Sequence, residues 1–103
     1  MSEGGKFLIQ LFDGRINFAI WKSSVEDYLV QQGIDDALLK ERPNHIEEAK
    51  WTQMRKKAVS TIRLAIAPEI KYNYLKETNP GELLEKLQAV YASKSLTNKL
   101  CLR

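Results

Sequence analysis

The stretch from Phe12 to Trp21 constrains this chain's fold more than any other, because it joins a turn, a helix cap and an aromatic anchor. Asp13-Gly14 is a turn dipeptide: the Asp side chain bonds back to the local backbone, and Gly tolerates positive φ. Asn17 follows as an N-cap, its side-chain oxygen able to accept from the orphan N–H groups of a first helical turn. Phe18 and Trp21 then open an apolar stripe continued by Val25, Tyr28 and Leu29, spaced for one face of a helix. This is ordered entry into an amphipathic helix, and it holds no catalytic constellation.

Start and stop signals recur down the chain. The first helix is expected over 18–32, with Gly33 in the left-handed position just past its end. Residues 35–41 read as one or two helical turns before Pro43. Asn44-His45-Ile46-Glu47 resembles a capping box, with Glu47 reaching back to an Asn44 cap. A long helix is expected to follow over 46–67, with Glu47 and Glu48 at its positive end and bases later, as the macrodipole prefers. Pro68 breaks it, pushes Ala67 out of the helical region and opens a short helix that turns Ile70, Tyr74 and Leu75 inward. Asn79-Pro80-Gly81-Glu82 repeats the start signal, and Leu83, Leu87, Val90 and Tyr91 form the stripe after it. Ser95 can cap a last segment over 96–103. Residues 6–12 are too short and isolated for a stable sheet and read as an extended arm packed on helices. The expected fold is all-α: a small bundle of five or six helices preceded by a short extended N-terminal arm. Residues 1–5 read as a flexible tail, and 6–103 are expected to form a single domain with room for truncation at its C-terminal end.

Composition narrows the function. A chain of 103 residues makes one domain with a modest core. Its 44% hydrophobic content argues against disorder. No apolar run is long enough to span a bilayer, and no secretory signal is readable at Met1-Ser2-Glu3-Gly4-Gly5. The single cysteine, Cys101, excludes an internal disulfide. A cytoplasmic location with no membrane partner is expected. Net charge is +3, too mild by itself to mark a nucleic-acid binder. Its distribution says more: bases without acids run from Lys50 to Arg63, and again from Lys86 to Arg103.

The motifs together resemble one family, the Gag polyproteins of copia-type LTR retrotransposons, plant ones especially. The resemblance is carried by Phe12-Asp13-Gly14, Asn17-Phe18 with Trp21, and Val25-Glu26-Asp27-Tyr28-Leu29. Gly33-Ile34, Ala58-Val59-Ser60-Thr61-Ile62-Arg63-Leu64 and Gly81-Glu82-Leu83-Leu84-Glu85-Lys86-Leu87 continue it, leading to Tyr91 and Ser95-Leu96-Thr97-Asn98-Lys99-Leu100. The family usually carries Trp where this chain has Leu84, a change that bears on local packing. Family likeness implies a domain similar to retroviral capsid domains. It implies a protein that self-associates into virus-like particles packaging the element's RNA.

No enzyme chemistry is expected. Asp13-Gly14 lacks the Ser or Thr between Asp and Gly that a retroviral-type protease signature needs. Ser23-Ser24 and Ser60-Thr61 lack a positioned base, since the single histidine, His45, sits at a helix start. Cys101 with His45 cannot supply the roughly four ligands of a zinc site. No cofactor, metal or small-molecule substrate is expected, and the zinc knuckle that Gag proteins often carry is absent from this sequence. Lys56, Lys57 and Arg63, with Lys99 near the end, are the candidate RNA contacts, weak and non-specific. The aromatics Trp21, Tyr28, Trp51, Tyr74 and Tyr91 have the spacing of core rather than of a stacking platform. Arg55 lies nearer the apolar side, its stem able to pack there. Ile20, Val30 and Leu64 point off the main stripes and, with Leu96 and Leu100, are the candidates for self-association. The expected partner is the chain itself; the rival reading is a host-adopted, non-assembling module that binds RNA or a host protein.

Overall fold

A computed structural model describes residues 9–92. Helices account for nearly all regular structure there, with one isolated parallel bridge between Phe12 and Ile66. The elements in order are α1 (Phe18–Gln31), a 3-10 turn (Asp35–Leu38), α2 (Glu48–Leu64), α3 (Pro68–Lys71), a 3-10 turn (Tyr72–Tyr74), α4 (Pro80–Leu87) and a π turn (Gln88–Ala92). The expected last helix, and residues 6–8 of the expected arm, lie outside the described residues.

Local chemistry sets both ends of α1. Asn17 is extended, and its side-chain oxygen accepts from the Ile20 N–H at 3.0 Å. At the other end Gly33 takes φ 74°. Its N–H donates to the Val30 carbonyl at 2.9 Å, and the Ile34 N–H donates to the Leu29 carbonyl at 2.9 Å. That pair of bonds is the Schellman arrangement, which satisfies carbonyls that the helix end would orphan. It also turns Ile34 into the core, where it is buried.

The long helix is shorter than its sequence signals suggest, at both ends. It begins at Glu48 rather than at 46, with an extended Glu47 as cap that makes no side-chain capping bond. The expected Asn44 cap does not form, because residues 43–46 make a turn, the Ile46 N–H donating to the Pro43 carbonyl at 3.1 Å. That turn buries Ile46 at 6% exposure, so a side chain's demand for the core overrides a local capping signal. At the far end residues 65–67 leave the helix to pair with Phe12. The Phe12 N–H donates to the Ala65 carbonyl at 2.8 Å, and the Ala67 N–H donates to the Phe12 carbonyl at 2.9 Å. Ala67 is extended and Pro68 opens α3, as the proline demands.

α2 is the central element, touching α1, α4 and the 3-10 turn at 35–38. The core gathers Phe18, Trp21, Val25 and Leu29 from α1, Trp51, Met54, Ala58 and Ile62 from α2, and Leu83, Leu84 and Leu87 from α4. Leu84 is 3% exposed, so the smaller side chain at that position is still a core residue. Ile70 is buried as expected, whereas Leu75 is 50% exposed and Tyr74 only partly buried. Val90 is also turned out, at 42% exposure. The wider winding of the π turn changes the phase of the stripe after Leu87: Tyr91 stays against the core and Val90 swings to solvent.

Candidate interaction surfaces

Six of the aromatic residues pack against or within the core, Tyr28 and Tyr74 are half-buried, and Tyr72 faces solvent at 76% exposure. Phe12, Phe18, Trp21 and Tyr91 form one cluster, with centroid separations of 5.4 Å for Phe12–Phe18, 5.2 Å for Phe12–Trp21 and 4.9 Å for Phe12–Tyr91. The Phe12–Phe18 and Phe12–Tyr91 pairs are edge-to-face, the favourable arrangement for ring quadrupoles. The Trp21 indole N–H donates to the Ala65 carbonyl at 3.0 Å, so its single polar atom is satisfied where the ring is 2% exposed. Trp51 is buried too, and the Arg55 guanidinium lies over its ring at 5.6 Å. That half-buried arginine packs on an aromatic face, a cation–π contact.

The outer face of α2 carries the charge. Lys50, Lys56, Lys57 and Ser60 are all exposed, and no acid interrupts them. Arg63 stands at the edge of this face, half-buried, with Nη1 donating to the Leu75 carbonyl at 2.8 Å. It therefore ties α2 to the turn after Tyr74 while keeping other donors of its fork. Lys57 and Leu64 share a stripe through Ser60, so a phosphate-binding candidate and a self-association candidate lie on the same face. Lys99, Leu96 and Leu100 lie outside the described residues.

Ile20, Val30 and Leu64 are 67%, 56% and 57% exposed. Ile20 also belongs to a feature that the spacing of the sequence does not reveal. Together with Ile9, Gln10, Ile16, Asn17, Trp21 and Ser24 it lines an open, mainly apolar groove of about 250 Å³. Ile16 precedes the Asn17 cap and Trp21 is the fourth residue of α1, the positions of a hydrophobic staple. That staple was the readable signal for one wall of the groove. The other wall depends on where the segment at Ile9 crosses α1, a long-range property. In the turn that precedes α1, Asp13 accepts from the Arg15 N–H at 2.9 Å, a bond that holds its carboxyl below the usual aspartate range. Gly14 at φ 91° completes the turn.

Among the described residues no group of three or more His, Cys, Asp or Glu side chains is placed to hold a metal ion. No described helix is long and apolar enough to cross a membrane. His45 is exposed in the turn before α2.

No family model matches the chain, and no solved structure matches it. Over 98% of its length it is 30% identical to the retrovirus-related Pol polyprotein from transposon TNT 1-94 of Nicotiana tabacum. It covers only 8% of that polyprotein's length, in the N-terminal part. Along nearly its whole length, the chain is therefore similar to the N-terminal part of a copia-type retrotransposon polyprotein.

Proposed function

We propose that this chain is a Gag-related structural domain, capsid-like and non-enzymatic. In this reading copies associate in the cytoplasm into virus-like particles that enclose the element's RNA. The observation that carries the reading is the match along 98% of the chain to the N-terminal part of a retrotransposon polyprotein. The solvent-facing Ile20, Val30 and Leu64 support it, since an assembling protein needs apolar groups outside its own core. Many weak contacts between identical domains add up through avidity, so no single interface has to be tight. Lys56 and Lys57, with Arg63 and Lys99, supply a sequence-indifferent attraction for phosphate.

Light scattering across concentration tests association: the mass is expected to rise with concentration, and Leu96→Ser with Leu100→Ser to hold it at the monomer. A monomer at every concentration would overturn assembly and favour a solitary, host-adopted binding module. RNA binding is read by filter retention at two ionic strengths. About three phosphate contacts to single-stranded RNA give a log–log salt slope of roughly −2. Salt-insensitive, sequence-selective retention would refute the electrostatic account.

A further inference from the structure

We infer that Tyr72 is a stacking site for a base of single-stranded RNA, with Arg63, Lys71 and Lys76 holding the phosphates that flank it. The inference rests on the RNA reading and adds to it a contact that charge alone does not supply.

Exposure singles Tyr72 out. The other described aromatic rings are buried or half-buried, whereas Tyr72 stands in solvent at the start of its 3-10 turn. Leu75 is exposed as well, and the two residues line an open concavity of about 340 Å³ with Asn73, Lys76 and Glu77. A solvated ring in such a hollow offers a π-face to any base. Single-strand binders hold RNA in this way without reading its sequence.

Cations surround the ring. Leu75 links the hollow to α2, because its carbonyl accepts from Arg63 Nη1 at 2.8 Å. That bond fixes the guanidinium, and its remaining N–H groups are free to donate to phosphate oxygens. Lys71 precedes the ring and Lys76 lines the hollow, and neither is paired with a described carboxylate. The acid that lines the hollow, Glu77, is neutralised by Lys86, whose Nζ donates to it at 2.6 Å. Glu69 remains, one turn before Tyr72, so three cations stand against one free carboxylate. From Arg63 the polar stripe runs back through Ser60 to Lys56, about 10 Å along the axis of α2. A strand stacked at Tyr72 therefore continues onto the basic face.

The same charges argue against a second copy as the occupant. A two-fold pair lays a patch against itself, which would set Arg63, Lys71 and Lys76 opposite their own counterparts. A polyanion with flat, apolar bases suits both the ring and the cations.

Fluorescence anisotropy of a labelled single-stranded RNA of about ten nucleotides, within the usual site size of such binders, gives the test. Tyr72→Ala is expected to weaken binding about five- to tenfold, the lower part of the range for a lost stacking contact. Tyr72→Phe should bind as the parent does. Tyr72→Leu should bind as weakly as the alanine variant, because bulk without a π-face cannot stack. All four chains should melt together, as substitutions at an exposed side chain allow. Their log–log salt slopes should also agree, since no phosphate contact is removed, whereas Lys76→Gln should make the slope shallower by about 0.7. Duplex RNA, whose bases are already stacked, should not distinguish Tyr72→Ala from the parent.

Parent-strength binding of single-stranded RNA by Tyr72→Ala would overturn the stacking site and leave the electrostatic account standing. Equal binding by Tyr72→Leu and Tyr72→Phe would overturn it too, marking a merely apolar contact. A loss of association by light scattering in Tyr72→Ala, with RNA binding unchanged, would give the patch to a second copy. Absence of RNA binding by the parent chain at low salt would overturn both the site and the RNA reading.

Discussion

The two ends of α2 are held by different means. At its C-terminal end the Ala65 carbonyl accepts from both the Phe12 N–H and the Trp21 indole, and the Ala67 N–H returns a bond to Phe12. All of those partners are remote in sequence. At its N-terminal end the contacts are local: Ile46 N–H to the Pro43 carbonyl, and Arg42 Nη1 to the Ile46 carbonyl at 2.6 Å. Glu47 caps nothing with its side chain. One end joins α1, α2 and the N-terminal segment into a unit, and the other is a turn pinned by one apolar side chain. The difference locates the stability of the domain.

The comparison breaks first at Trp21. Trp21→Ala removes a buried ring that touches Phe12 and Phe18, and strips a donor from the Ala65 carbonyl. Truncation of a buried Trp costs about 3–5 kcal/mol. A domain has about 5–15 kcal/mol in all, so this variant should be unfolded or close to it. A thermal melt within a few degrees of the parent would mean that the Phe12–Ala65 junction does not hold the fold.

At the other end Ile46→Ala should cost about 2 kcal/mol, the lower part of the range for such truncations, because its site lies at the edge of the core where a turn can relax. Urea unfolding gives the number. A loss as large as that of Trp21→Ala would erase the distinction between the two ends.

Sequence reading succeeded where the determinant was local. Asn17, the Gly33 terminator and the Ala67-Pro68 break could be recognised because each is settled by groups within a few residues. Asn79 belongs with them, its side chain accepting from the Glu82 N–H at 3.1 Å. The reading erred at Asn44 because Ile46 is drawn into a core built by distant helices. Val90 and Leu75 were expected inward on α-helical spacing, but the π turn shifts one and the turn after Tyr74 exposes the other. Nothing in the spacing of Trp21 announces Ala65 as its acceptor. The groove was half legible, through the staple at Ile16 and Trp21; the approach of Ile9 needs the folded chain.

Asn17 and Asn44 sharpen the lesson, since both stand where a sequence reader would place a helix cap. Asn17→Ala deletes a capping oxygen 3.0 Å from a first-turn N–H and should cost about 1 kcal/mol.

The smallest effect is expected at Asn44. It is exposed, one residue into the turn that precedes α2, and α2 starts too far downstream for its side chain to reach the first-turn donors as a cap. Asn44→Ala should therefore stay within about 0.5 kcal/mol of the parent, as for surface substitutions away from special features. Both variants can be measured in one set of urea curves, with the m-value checked so that a midpoint shift reports stability alone. Near-equal losses at Asn17 and Asn44 would mean that α2 begins at 46 in solution. Ile46 would then lie on a helix, and the account of a core residue overriding a capping signal would fail. A cost confined to Asn17 means that the domain uses the cap it needs and bypasses the one that would pull Ile46 off the core.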